Sequence, residues 1–108
     1  KKMMHGMMAD LDIILTPTMG MDAPALDGLD LMTEFIEGRL AIYTPFWNAL
    51  GFPAMSIPMG FSSRGLPLGL QVAAKPFDEA TAFLAGDAYQ QVTSHHLAVP
   101  PIAQTVAA

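Results

Sequence analysis

Apolar and polar positions along the chain change period several times, and each change marks an element. Ile13-Ile14-Leu15 is a continuous apolar run rather than an alternating one, bounded by Pro17, and predicts a strand over Leu11–Leu15 buried on both faces, as in a parallel sheet. From Met19 to Gly28 there is no periodicity, and a proline, two glycines and further aspartates mark a loop. Apolar residues at 29, 32, 36 and 40 then recur at helical spacing, predicting a helix over Leu29–Tyr43 with Asp30 or Thr33 capping its start. A short second helix follows, with Thr44 as N-cap, Pro45 in its first turn and Gly51 just past its end. Pro53–Gly60 and Leu68–Ala74 are apolar strands on either side of the turn Ser62-Ser63-Arg64-Gly65, so they are expected to pair as a hairpin. Asp78 caps the clearest helix, Glu79–Val92, with Phe83, Leu84, Ala88 and Val92 on one face. Leu97–Ala108 reads as a loose tail in which Pro100-Pro101 bars a helix.

Composition narrows what these elements can do. The 108 residues make one domain at most. Hydrophobic residues are 52% and charged residues 14% of the chain, well short of the ~25% charge of ordinary globular domains. Such a chain cannot cover itself with charge, which implies apolar faces hidden against a partner or by self-association as a homo-oligomer. A net charge of -5 with five basic residues provides no phosphate-binding patch, so nucleic acid is not an expected partner. The absence of cysteine excludes disulfides and thiol chemistry. The methionine-rich start, Lys1–Met8, is interrupted by His5 and Gly6 and followed by Asp10 and Asp12, so it does not read as a signal peptide. No apolar run approaches the ~20 residues of a membrane span, and a cytoplasmic protein without membrane contact is expected.

Few residues offer chemistry by themselves. Ser62, Ser63 and Lys75 would make a serine–lysine centre only if the lysine came within hydrogen-bond reach of a serine. The serines lie in the hairpin turn and Lys75 follows the far end of the returning strand, so the turn-and-surface reading prevails. His95-His96 has no third ligand at metal spacing and reads as a solvated helix end. Asp10 and Asp12 read as solvated strand-end residues. No cofactor or metal site is expected.

Two separated blocks carry a family resemblance. Thr44, Asn48, Gly51, Pro53 and Ala54 fit T-x-x-x-N-x-x-G-x-P-A, and Ile57-Pro58 is followed by Gly65-Leu66-Pro67, then Gly69-Leu70-Gln71, fitting G-L-P-x-G-[LV]-Q. With Asp12–Thr18 upstream and Pro76–Ala80 downstream, the chain resembles the C-terminal part of the amidase signature hydrolases over Met8 to Thr93. The resemblance implies an α/β fold, a mixed β-sheet with flanking helices, of which this chain is a C-terminal piece. Residues 1–93 would be the segment of the α/β domain and 94–108 a tail, with the end of a helix before the first strand. Family members hydrolyse carboxylic amides with a serine nucleophile, a second serine in a cis peptide and a lysine base. These sit in a Gly/Ser-rich segment and at a lysine well before the matched blocks, and no such segment occurs in these 108 residues. No catalytic residue is therefore expected here, and the remainder of an amidase polypeptide is the implied partner.

By the same resemblance, Gly38, Ala41, Ile42 and Pro45 would line the channel for a small-molecule amide. Asn48, as a buried amide tying loops together, Gly51 and Pro53 would be scaffold. Related glutamine-using amidotransferases carry an aspartate seven residues before the Asn to hold the substrate's amino group, and here that position is Ala41. A small apolar residue cannot hold an ammonium, which points to an apolar, aryl or aliphatic amide. Met55, Met59 and the Met19–Met21 pair suit an adaptable apolar environment. Two other readings stay open: a non-catalytic structural or dimerisation module derived from an amidase, and an amidotransferase A-type subunit.

Overall fold

A computed structural model describes residues 2–28, 30, 32–33, 37 and 41–104. Helix α1 (Lys2–Met7) leads into strand β1 (Ile13–Pro17). After a loop, helix α2 (Thr44–Leu50) precedes the hairpin of β2 (Ala54–Phe61) and β3 (Pro67–Ala74). Helix α3 (Glu79–Gln91) follows, then a 3-10 turn at His95–Leu97 and helix α4 (Pro101–Gln104). The strands form one sheet in the order β1-β3-β2, with both pairings antiparallel. The expected α/β architecture, a sheet with helices on it, is what the chain adopts.

Successive side chains of a strand point to opposite faces, and the two apolar clusters follow that period. Ala73 and Ile14 share one face with Met4 and Met8 of the first segment and Trp47, Leu50 and Phe52 of the second. Val72, Ala74, Leu70, Ile13, Met55 and Ile57 share the other face with Ala82, Ala85 and Tyr89 of α3. Helices α1 and α2 therefore cover one side and α3 the other. Met4 and Met8, one turn apart, anchor the first segment, and the Trp47 indole meets Phe46 edge-on at 4.9 Å and Phe52 at 6.2 Å.

The hairpin and its approach fold as expected. Gly51 has φ 69° and its N–H bonds to the carbonyls of Trp47 and Asn48, closing α2 in the left-handed conformation that glycine adopts without a steric penalty. Pro53 directs the chain into β2, its carbonyl accepting from Ala74 N–H at 3.0 Å. The Asp78 side chain caps α3 by accepting from Thr81 N–H.

Other expectations are corrected. Strand β1 is not doubly buried or parallel: it runs antiparallel to β3, and Leu15 is 53% exposed. Its only described strand neighbour is β3, and a short apolar run does not by itself distinguish strand environments. Helix α3 is turned around relative to its apolar pattern. Phe83 and Leu84 are 67% and 70% exposed and Ala88 and Val92 are also exposed, while Ala82 and Gly86 are buried. Small residues let the helix approach the sheet so closely that a Cβ on Gly86 would stand 2.3 Å from Met55 Cε. Helix α2 begins at Thr44 itself, with Tyr43 in the cap position and no side-chain cap bond, so Pro45 still falls in the first turn.

At the C-terminal end, Pro101 opens α4 rather than barring it, because a proline in the first helical turn gives up no helical hydrogen bond. Most of the helix expected over Leu29–Tyr43 lies outside the described residues. At its start the Asp30 carboxylate accepts from Met32 N–H, Thr33 N–H and the Thr33 hydroxyl, and the hydroxyl above all holds its pKa below the ordinary carboxylate value.

The left-handed Gly51 generates a prediction. Gly51→Asn should keep the fold, since asparagine tolerates this region, whereas Gly51→Val should lose at least the ~1–2 kcal/mol that a left-handed residue costs, and more for β-branching. Thermal unfolding of the two variants side by side tests it, and equal midpoints would misplace the helix end.

Candidate functional site

One face of the sheet changes character along its length. At one end Ile14 and Ala73 lie under α1 and α2. Two residues further along β1, Thr16 is paired with Gln71 of β3, which is paired in turn with Ser56 of β2. Polar side chains thus cross all three strands in one row. Gln71 is 4% exposed and is the buried polar residue among the described ones. Its amide nitrogen donates to Thr16 Oγ1 at 3.0 Å and to the Tyr43 carbonyl at 3.3 Å. Through that second bond the central strand holds the segment 41–45.

A second polar contact lies beside the first. Thr18 Oγ1 and Ser56 Oγ are 2.6 Å apart, directly above Gly69, and Thr18 N–H donates to the Gly69 carbonyl at 2.8 Å. A Cβ on Gly69 would stand 2.6 Å from Ser56 Oγ and 2.8 Å from Thr18 Oγ1, so only glycine leaves room for the hydroxyl pair. Next to it Met19, Met21, Ala23, Pro24 and Met59 surround an open groove of about 340 Å³ floored by Gly69. Three of the methionines expected to suit an adaptable environment meet there. The fourth, Met55, packs instead in the core beneath α3.

The loop forming this groove is tied to the hairpin turn. Asp22 accepts from Arg64 Nε at 3.0 Å and from Arg64 Nη2, and the same guanidinium donates to the Ala23 carbonyl at 2.9 Å. The Arg64 hydrogen bonds, with the Ser62 hydroxyl second, lower the Asp22 pKa to about 2. Arg64 is correspondingly held further above its ordinary value by Asp22.

The expected channel residues are placed as follows. Ala41 is half-buried, and Ile42 and Pro45 are exposed, on either side of the Tyr43 carbonyl that Gln71 holds. Gly38 lies outside the described residues. Asn48 is exposed rather than buried: Trp47 and Leu50 turn α2 toward the sheet, and Asn48 contributes its backbone carbonyl to the Gly51 cap. Gln71, Thr16, Thr18 and Ser56 fall within or beside the matched blocks, yet the sequence assigns none of them a site role. Their signal is the lone polar residue in each otherwise apolar strand, Thr16 in β1, Ser56 in β2 and Gln71 in β3, with Thr18 just past the end of β1.

The rejected centres stay apart. Ser62 Oγ accepts from the Arg64 and Leu66 N–H groups, a turn role. Lys75 lies beyond the far end of β3, a strand that at ~3.3 Å per residue puts them on the order of 25 Å apart. His95 and His96 form the 3-10 turn rather than an α-helix end. The His95 ring lies 3.7 Å from where a Gly60 Cβ would stand, and both imidazoles line a cavity of about 570 Å³ against Phe61 and Leu66. Asp10 and Asp12 are exposed. Among the described residues no three His, Cys, Asp or Glu side chains gather as a cation site. No described helix is long and apolar enough to cross a membrane.

This arrangement can position a polar group and bound an apolar one. Residues 1–83 match the sequence profile of the family described as Amidase. The A subunit of glutamyl-tRNA(Gln) amidotransferase from Chloroflexus aggregans is 53% identical over 100 residues, covering 88% of this chain and 19% of that protein. A Mycobacterium tuberculosis protein provisionally named amidase AmiD is 42% identical over 96 residues, 86% of this chain and 20% of its own length. In the crystal structure of the Thermotoga maritima glutamyl-tRNA(Gln) amidotransferase, the A subunit superimposes with a TM-score of 0.67 at 32% identity, covering 76% of this chain and 18% of that one. The chain spans about a fifth of the length of these relatives.

The loop ion pair predicts a pH dependence. Because the folded Asp22 carboxyl titrates at about 2, below its ordinary 3.8, its contribution is present above pH ~4 and is lost as pH falls toward 2. The melting-temperature gap between wild type and Asp22→Asn should close over that window. A gap constant from pH 6 to 2 would exclude the ion pair as its source.

Proposed function

Because the chain belongs to the amidase family, we propose that it is part of a longer amidase, supplying scaffold and one wall of the channel for a small amide. The observation that carries the reading is the row Thr16–Gln71–Ser56, whose central Gln71 reaches out of the sheet and holds the segment 41–45 at the Tyr43 carbonyl. The expected channel residues would then stand over the polar end of the sheet, away from the packed interior. In this reading a serine in the rest of the polypeptide attacks the amide carbonyl, a lysine and a second serine move its proton to the leaving nitrogen, and water then cleaves the acyl-enzyme. Backbone N–H groups stabilise the oxyanion. No residue described here performs those steps, and no metal or organic cofactor is called for.

The exposed apolar residues support a larger body. Phe77 is 95% exposed, and Phe83 and Leu84 face outward from α3. Faces of that kind are rarely left open on a monomer, and the rest of the polypeptide is the partner that would cover them.

A second reading, an amidotransferase A-type subunit, is favoured by the 53% identity to one such protein. Ala41 weighs against it, since the position offers no carboxylate for a glutamine's ammonium. Glutamine-dependent ammonia transfer to an acyl-tRNA by the full-length protein would decide for that reading. Release of free acid from simple amides without a partner would decide for the hydrolase.

Two further outcomes are expected. The isolated 108-residue chain should not hydrolyse aryl or aliphatic amides. Turnover that disappears in Ser63→Ala would place a working centre inside it. In the full-length protein, Ala41→Trp should reduce kcat/KM most for amides with bulky acyl groups and least for acetamide, because overpacking of ~1–3 kcal/mol falls on the substrate. A uniform loss across the series, or a large drop in melting temperature, would put Ala41 in the packed interior.

A further inference from the structure

The G-L-P-x-G-[LV]-Q block ends on Gln71, and the proposed chemistry assigns this residue no task. We propose that Gln71 is a positioning residue that sets where the 41–45 wall stands, and so which acyl groups the channel admits. The inference rests on the reading that this segment lines the channel.

The geometry is specific. Gln71 sits at the centre of the middle strand, with Thr16 and Ser56 as its cross-strand neighbours, and is buried. A buried amide must find partners or carry the full cost of desolvation. One of its donated bonds stays within the sheet, to Thr16 Oγ1 at 3.0 Å. The other leaves the sheet and reaches 28 residues back in sequence to the Tyr43 carbonyl at 3.3 Å. Ala41 and Ile42 precede that carbonyl and Pro45 lies just beyond it. This bond fixes the middle of the segment against the most constrained strand of the fold, while Ile42 and Pro45 on either side remain exposed.

Chemistry at position 71 is narrow. Leucine or methionine can fill the volume but cannot donate, and glutamate fits the shape yet turns a carboxylate oxygen toward the Tyr43 carbonyl. Only an amide of this length satisfies strand and segment together. Thr16→Val is the internal control, because it removes the sheet-side partner and leaves the Tyr43 bond.

The test uses the full-length protein carrying this chain, with Gln71→Met, Gln71→Glu, Thr16→Val and Ala41→Trp made in parallel. Two readouts are taken: kcat and KM across amides of increasing acyl size, and amide hydrogen exchange over residues 42–46. Gln71→Met and Gln71→Glu should change the ratio of kcat/KM between short and long acyl groups by roughly tenfold, mainly through KM, and speed exchange over 42–46. Thr16→Val should do neither to that extent. A lowered melting temperature in Gln71→Met with unchanged selectivity and unchanged exchange would make Gln71 an ordinary strand residue and overturn the proposal. If Ala41→Trp shifts selectivity and Gln71→Met does not, the wall stands and Gln71 does not set it. If Ala41→Trp leaves selectivity untouched, the wall reading and this inference fail together. The conservative Gln71→Met keeps the buried volume, so the comparison survives should Gln71→Glu fail to fold.

Discussion

The C-terminal half of strand β3 is the fixed part of the fold: Leu70, Gln71, Val72 and Ala73 are each paired with β1 on one edge and β2 on the other, and helices cover the two faces around Val72, Ala73 and Ala74. Gln71, Val72, Ala73 and Ala74 are consecutively buried. The positions serve different ends because the strand alternates. Val72 and Ala74 join the cluster under α3, Ala73 joins the cluster under α1 and α2, and Gln71, on the same face as Ala73, lies where that face turns polar. The polar row exists because β3 is fixed: a one-residue slip would move Gln71 beneath α3 and Val72 into the row.

That constraint explains the small residues around it. Ala73 and Ala74 let helices approach from both sides, and Gly86 on α3 meets Met55 with no room for a methyl group. Gly69 leaves the space in which Thr18 and Ser56 join their hydroxyls across the strand between them. Close approach here is achieved by removing side chains, which costs apolar contact area. The larger residues Trp47, Phe52 and Met8 fill the other face, where the helices are short.

Much of this was legible along the chain because the signals were local. A proline, a glycine with positive φ and an aspartate cap fixed α2, its end and the start of α3 within a residue or two, and the hairpin followed from two apolar runs about a turn. What was not legible depended on tertiary contact. The apolar stripe Phe83–Leu84–Val92 pointed to one buried face of α3, whereas the sheet selected the side with Ala82 and Gly86, since only small residues can come that close. Ile13-Ile14-Leu15 carries no mark of strand direction, and its pairing with β3 was settled by the distant residues 70–74. Asn48 drew attention as a motif position, yet in the structure it is the carbonyl of its backbone that bonds. Gln71 closes the other block, G-L-P-x-G-[LV]-Q, which by itself assigns it no role, although a polar side chain at the centre of an apolar strand has to be explained by partners.

Helix α3 shows how the candidate site and the rest of the molecule are linked. One side of it is built from Ala82, Ala85 and Gly86 and touches the sheet, while the other carries Phe83 and Leu84 outward. A surface helix has one apolar stripe, whereas a helix apolar on two sides belongs between layers. The same holds for β1, whose Leu15 is exposed beside a sheet edge that has no described partner. Under the proposed function, the layers that complete these faces also bring the serine and lysine, so closing the core and assembling the active site would be one event. The row Thr16–Gln71–Ser56 and its bond to the Tyr43 carbonyl are made entirely of residues of this chain. The channel wall would then reach the catalytic residues in a position already determined by β3.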